Sequence, residues 1–224
     1  MTTADLTQTG RDKAGRHGRL TLGRSSLIAL LLLVIAIGAT TTYRSDSEAR
    51  AGGRPKFDPA KYAAETYEPK IVPAIEKNAV NVATLYKAIA ADPEAAGKQY
   101  GHRAGTGPYS YAVTLAGTAG ATQSGLMRVT VPGLDKARVS VQVGPAINGT
   151  ALRDAPGLIA FGQFTNQVDY ADAATALNTE MKTKVLKSFD PSAARDKKIT
   201  VIGAMTPLTA DVLTITPVSI ETAS

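Results

Sequence analysis

Two neighbouring stretches concentrate the side chains that could do chemistry: "GPAINGTALRDA", residues 144–155, and "FGQFTNQVDYADAATALN", residues 161–178. Asn148, Thr150, Arg153, Asp154, Asn166, Gln167 and Tyr170 supply amide, hydroxyl, guanidinium, carboxylate and phenol groups, with Phe161 and Phe164 beside them. Such types suit a binding pocket in which a few polar groups orient a sugar and an aromatic ring covers its apolar face. Catalysis is less well served. Neither His17 nor His102 stands near a Ser in a nucleophile-elbow context, and no carboxylate pair is arranged to separate a general acid from a base. Asp169 and Asp172 read as caps and dipole partners at a helix start. The chain has no Cys, which removes disulfides, thiolate metal sites, a Cys nucleophile and a lipid-bearing thiol. No enzyme, metal site or cofactor is expected.

Part of this polar richness is turn chemistry. Gly144-Pro145 ends a strand, and Asn148-Gly149 suits a tight turn that requires positive φ. Arg153, Asn166 and Gln167 are the side chains that turn-making leaves over.

The elements that must position these residues are strands and one helix. "YSYAVTLAG", "GLMRVTVPG" and "ARVSVQVG" alternate with period two and are rich in β-branched residues, which predicts three strands in an antiparallel meander. A helix over Tyr170 to Ser188 follows, with Ala174, Leu177, Met181, Val185 and Phe189 as its apolar stripe. Lys182, Lys184 and Lys187 then serve the carbonyl end, and Asp190-Pro191 ends the helix. "KKITVIGAM" and "DVLTITPVSIE" are two further strands. Three strands, a helix and two strands is the order of an OB-type barrel in which the helix plugs one end.

Before the barrel the pattern is helical. Asp58-Pro59 and Asp92-Pro93 place a capping residue ahead of a proline at the first helical position. Tyr62, Tyr67, Ile71 and Ile75 follow at helix-like spacing, and Pro69 and Pro73 must break or kink that run. Asn81 to Ala90 predicts a second helix, with Val82, Leu85, Tyr86 and Ile89 on one face. The Gly-rich stretch "GKQYGHRAGTGP" leaves a helix, enters a strand and lacks a closing Lys-Ser or Lys-Thr, so it reads as a linker rather than a phosphate cradle.

The amino terminus is a basic tail ahead of an apolar segment. Leu27 to Ala39 is a strictly apolar run of 13 residues, about 20 Å as a helix. The uncharged stretch between Arg24 and Arg44 is 19 residues long, about 28 Å, against a hydrocarbon core of roughly 30 Å. Two readings stand: an uncleaved signal anchor with Leu27, Leu30, Leu33 and Ile37 facing lipid, and a cleaved secretory signal with Ala36-Ile37-Gly38 as its small-residue site. Under either, the basic flank keeps the amino terminus in the cytoplasm and sends the rest outward.

The net charge of +6 is spread evenly: five Lys/Arg against two Asp in 1–43, and 20 against 17 in 44–224. No concentrated basic stripe with stacking aromatics exists, so nucleic acid is not an expected partner. The whole reads as an α+β chain with a single-pass topology at the cell membrane. It divides into a cytoplasmic tail (1–24), a transmembrane signal anchor (25–43), a tether (44–56), a helical subdomain (57–98) and a five-stranded OB-like β-barrel (99–224) with a helix between strands 3 and 4.

"FDPAKY", "YGHRAGTGPY", "VGPAINGTALRDA", "FGQFTNQVDYADAATALN", "ITVIGAM" and "LTITPVSIE" together resemble the predicted periplasmic lipoprotein family of unknown function. The resemblance extends from about Phe57 to Thr222. It implies an OB-like barrel preceded by helices and held at the membrane, with no assigned reaction. It also implies genes placed beside sugar-uptake ABC transporters, and so a transporter permease or a solute-binding protein as partner. With no Cys to carry lipid, attachment falls to the bilayer-directed segment Leu27–Ala39. Two functions follow: an accessory protein that contacts transporter components, and a sugar-binding module.

Overall fold

The computed structural model describes residues 21–40 and 56–223. The chain divides into two units, Met1–Lys56 and Phe57–Ser224. The basic tail and the tether fall largely on residues 1–20 and 41–55, outside the described residues.

In the first unit, helix α1 (Thr21–Thr40) begins four residues earlier than the expected anchor. Leu27, Leu30, Leu33 and Ile37 are each more than half exposed. Among the described residues no helix is long and apolar enough to cross a membrane. The transmembrane helix expected over 25–43 is therefore not supported. The reason is length: the unbroken apolar run from Leu27 to Ala39 is 13 residues, about two-thirds of what a hydrocarbon core requires.

The second unit opens with α2 (Pro59–Thr66), whose cap is the predicted one: the Asp58 carboxylate accepts from the Lys61 amide at 3.1 Å. Pro69 and Pro73 do not break the run. Pro73 has no N–H to give the carbonyl four residues back, and its ring crowds that carbonyl. The chain widens instead into a π-helical turn over Tyr67–Ile71, with the Val72 amide donating to Tyr67 O, before α3 (Val72–Asn78) resumes. A short strand β1 (Val80–Asn81), α4 (Val82–Ala91) and α5 (Pro93–Tyr100) follow. The Asn81 and Asp92 side chains cap α4 and α5. The Gly-rich stretch is not all linker: Gly101–His102 forms β2, paired antiparallel with β3 (Ser110–Gln123).

The predicted meander is present as β3, β4 (Leu126–Thr130) and β5 (Arg138–Gln142), with antiparallel pairings between neighbours. After α6 (Ala151–Asp154), α7 (Gln167–Lys184) and α8 (Pro191–Ala194) come β6 (Lys198–Met205) and β7 (Val212–Thr222). β5 pairs parallel with β7, β7 antiparallel with β6, and β6 antiparallel with the first half of β3. The mixed sheet thus runs β3, β4, β5, β7, β6 and back to β3. β3 serves both ends because it is long: Tyr111–Thr118 pairs β6, and Thr118–Gln123 pairs β4 across a bulge.

Two cores separate along the strand alternation. Val113, Leu115, Met127, Val129, Val139, Val141, Val201, Leu213 and Ile215 form the first, together with Val82, Leu85 and Ile89 of α4. Ala112 and Ala204 point the other way, into a second core with Ala63, Tyr67, Ile71 and Ile75 and with Leu177 and Met181 of α7. The helix that enters the strand-lined core is therefore α4, not the predicted plug helix. α7 packs outside, against α2. The helical segment and the strands share both cores, so burial joins what composition suggested were two subdomains.

α7 starts and ends earlier than predicted. Its last turn is followed by a 3-10 turn, Leu186–Ser188, and Asp190-Pro191 begins α8 rather than ending α7. The Asp190 carboxylate accepts from the Ser192 amide at 2.8 Å, repeating the Asp-Pro start of α2 and α5.

Candidate functional site

Six of the seven predicted site residues are distributed between a groove, a buried network and a helix cap, while Gln167 stands exposed at the start of α7. Asn148 and Thr150 line a groove of about 430 Å³ with Leu126, Gln142, Gly149, Ala151, Thr206, Leu208, Val212, Thr214 and Thr216. Val212, Thr214 and Thr216 alternate along β7 with Leu213 and Ile215, which face the strand-lined core. The groove is thus the outward surface of β7, bordered by the end of β5, the β6–β7 loop and the turn before α6.

Its floor is held by Gln142, buried at 6% exposure. The Gln142 side chain accepts from the Asn148 amide at 2.9 Å and donates to Asn148 O at 3.0 Å. It also donates to the Thr216 hydroxyl at 2.7 Å. One side-chain amide therefore stands in for a strand partner and clamps the turn onto β7. Asn178 of α7 donates to Gly149 O at 2.9 Å and Lys182 to Pro145 O, which fastens the same turn from behind. Gly149 has φ of +98°, as the Asn-Gly pair predicted. Gly144 lies so close to Gly125 that a Cβ would stand 2.4 Å from the Gly125 Cα. That approach seats Leu126 opposite Gln142, its partner in the β4–β5 register.

Asp154 gathers the buried network. Arg153 Nε and Nη2 donate to its two oxygens at 2.7 and 3.1 Å, the Thr150 hydroxyl donates at 2.6 Å, and the Tyr170 hydroxyl at 3.3 Å. Arg153 Nη1 donates to Tyr170 O at 3.0 Å, while the guanidinium carbon lies 3.5 Å from the Tyr170 ring centroid. Arg153 is 7% exposed. Burial, then the Asp154 carboxylate, raise the Tyr170 phenol above its ordinary value, and Arg153 partly offsets them. Tyr170 further joins a run of rings: Phe161 at 5.6 Å, Phe164 at 5.3 Å, and beyond it Tyr62 and Phe57.

Arg153 and Asn166 are consequently used by the scaffold. Each of the three guanidinium nitrogens donates one hydrogen bond within the domain, and Asn166 caps α7 by accepting from the Asp169 amide at 2.9 Å. Its amide also donates to the Asp169 carboxylate at 3.1 Å. Gln167 is exposed in the first turn of α7. The aromatic rings expected to cover a sugar face lie in the network and its ring cluster, not among the groove's lining residues. Leu126, Gln142, Thr206, Leu208, Val212, Thr214 and Thr216 were not singled out by sequence. Strand alternation identifies outward positions, but not which of them the turn before α6 would roof.

The eleven lining residues include no charged and no aromatic side chain. Asn148 and Thr214 have no side-chain hydrogen-bond partner among the described residues, while Leu208 is 88% exposed at the lip. The chemistry on offer is binding of an uncharged group, with a few hydrogen bonds and apolar cover. Among the described residues no group of three or more His, Asp or Glu could hold a metal ion.

No curated protein matches the chain in sequence. The crystal structure of an OB-fold protein from Thermotoga maritima is similar to it, with a TM-score of 0.64 at 19% identity. The match covers 75% of this chain and all of that one. It establishes the OB-type arrangement of the five strands. Residues 27–221 match the family described as predicted periplasmic lipoprotein (DUF2291), and the chain belongs to that family.

Proposed function

We propose that the protein is a non-enzymatic accessory protein that works outside the cytoplasm and contacts a component of a sugar-uptake transporter, permease or solute-binding protein. The family's description as periplasmic supports the location. The exposed apolar residues Leu27, Leu30 and Leu33 of α1 support attachment to the bilayer by that segment, as anchor or as signal. The observation that carries the partner role is the uncharged groove with Leu208, 88% exposed, at its lip. Leu126, 38% exposed, and Val212 line the same groove as Leu208, and apolar side chains gathered at a preformed, uncharged groove suit a protein surface. Oligonucleotides, the ligands of many OB folds, require cations and stacking rings that this groove lacks. Crosslinking in native membranes followed by affinity capture of the full chain tests the role. Recovery of transporter subunits is expected, and their absence would count against it. The mass of the mature amino terminus distinguishes anchor from cleaved signal.

A neutral sugar is the second reading, favoured by the uncommitted Asn148 amide and Thr214 hydroxyl at the groove. Thermal shift of the purified domain against a panel of pentoses, hexoses and sugar phosphates tests it. No shift with any of them removes it.

A further inference from the structure

We infer that Asn148-Gly149, in the turn between β5 and α6, is a site of spontaneous self-modification, where the Asn148 amide is converted to aspartate and isoaspartate in the folded protein. Two adjacent groups carry the chemistry. The Gly149 backbone nitrogen gives up its proton to solvent base and attacks the Asn148 side-chain carbonyl carbon. The C–N bond of the side-chain amide breaks, ammonia leaves, and a succinimide ring closes. Water then adds at either ring carbonyl and opens the ring, to aspartate or to an isoaspartyl link in which the main chain runs through the former side chain. One water enters, one ammonia leaves, and nothing is oxidised or reduced.

Three observations place the reaction here. First, of the five asparagines, Asn78, Asn81, Asn148, Asn166 and Asn178, Asn148 alone precedes a glycine. A following residue with a Cβ crowds the approach of its nitrogen to the side-chain carbonyl, and glycine does not. Second, the reacting groups are uncommitted. Asn148 is exposed, and neither its side-chain amide nor the Gly149 N–H has a hydrogen-bond partner among the described residues. By contrast, the Asn81 and Asn166 carbonyls each accept a capping amide, and Asn178 is buried with its amide on Gly149 O. Asn78 is exposed but is followed by Ala79.

Third, the turn is held by atoms that ring closure leaves in place. Gln142 accepts from the Asn148 N–H at 2.9 Å and donates to Asn148 O at 3.0 Å, while Asn178 donates to Gly149 O at 2.9 Å. The succinimide keeps that N–H and both carbonyls, so these bonds tie down neither the nucleophile nor the carbon it attacks. Gly149 is exposed, with no atom outside its chain neighbours within 4 Å of where a Cβ would stand, so water and base reach the turn. The products change the groove. Either one puts a carboxylate into a lining that otherwise carries no charge, and the isoaspartyl link also lengthens the main chain by a carbon within the Gln142 clamp. The chemistry is the same whatever the groove binds.

The test holds the purified full chain folded in warm, mildly alkaline buffer and samples it over time. Trypsin releases the peptide 139–153, which is followed by mass spectrometry beside the same peptide made synthetically. Digestion with endoproteinase Asp-N, which cuts before aspartate and not before isoaspartate, separates the two products. The expected result is ammonia loss and then the amide-to-acid mass gain at Asn148, at a rate within about tenfold of the free peptide's. Reaction confined to unfolded molecules would run about a thousandfold slower or more. A rate that low, or an Asn148 that stays an amide, overturns the inference. Conversion at Asn78, Asn81, Asn166 or Asn178 at an equal rate also overturns it. Asn148→Gln keeps an amide but sets its carbonyl one carbon too far for the ring, so it should remove the conversion while leaving the urea midpoint unchanged. An acid mass gain that persists undiminished in Asn148→Gln overturns the inference, because the peptide also holds Gln142.

Discussion

The Arg153 guanidinium lies 3.5 Å from the centre of the Tyr170 ring while two of its nitrogens hold both oxygens of Asp154. This one stacked fork ties α6 to α7, and through Thr150 it reaches the groove wall. Both charges are largely removed from water, at 8% and 12% side-chain exposure.

Arg153→Ala is therefore expected to destabilise the domain by about 3–5 kcal/mol, because it strands a buried carboxylate. Arg153→Lys should recover only part, since a point charge neither forks onto two oxygens nor stacks flat on a ring. Urea unfolding followed by circular dichroism measures both. A loss within experimental error for Arg153→Ala would mean that the fork contributes nothing to folding and that Arg153 is held for a partner.

Tyr67 is 1% exposed, and its hydroxyl has no hydrogen-bond partner among the described residues. Removing that oxygen relieves an unsatisfied buried group, so Tyr67→Phe is expected to stabilise by about 1 kcal/mol. A destabilised variant in the same unfolding assay would reveal a partner for the hydroxyl.

Alkaline pH acts on the same residue. Burial, followed by Glu180, Glu68 and Glu76, raises the Tyr67 phenol above its ordinary 10.0. Burial is also the leading cause at Tyr62, Tyr111 and Tyr170, whose phenols are raised too. The folded state binds these protons more tightly than the unfolded chain does. Their contribution is complete below about pH 10 and is lost as pH rises through the folded values. The urea midpoint should fall between neutral pH and about pH 11, and less steeply in Tyr67→Phe than in the parent. Parallel pH profiles would exclude Tyr67 as the source.

Asn166→Ala should cost about 1 kcal/mol through loss of the α7 cap, with Asn166→Ser recovering most of it. Gln167→Ala, one residue on and exposed, should stay within about 0.5 kcal/mol. Equal losses at both positions would contradict the capping geometry.

Gly144→Ala would put a Cβ 2.4 Å from the Gly125 Cα. The expected cost is about 1–3 kcal/mol, with the β3–β4 turn pushed outward. Amide shifts at Leu126 and Gln142 should report the displacement, and unchanged shifts there would show that the turn gives way elsewhere.

Local signals in the chain were strong enough to place most elements. Period-two runs marked all five long strands, and the Asp-Pro pairs at 58–59 and 92–93 marked helix starts, because capping and alternation act over a few residues. Asn148-Gly149 announced its positive φ for the same reason. Other features needed distant partners. Whether Pro69 and Pro73 break a helix or widen it depends on Tyr67, Ile71 and Ile75 finding a core that holds the run together. That core is supplied by Ala112, Ala204 and α7.

What the sequence determined by itself was composition and local geometry: no thiol, no basic stripe, an apolar amino-terminal run, three strands, a helix and two strands. Only tertiary structure decided that α4 enters the strand-lined core, that Arg153 is spent on Asp154 and Tyr170, and that Asn148, Leu208 and Thr214 line one groove. Those outcomes rest on contacts between residues tens of positions apart. Gln142 meets Thr216 across 74 residues. A side chain's type states what bonds it can make, while the fold selects which partner reaches it first.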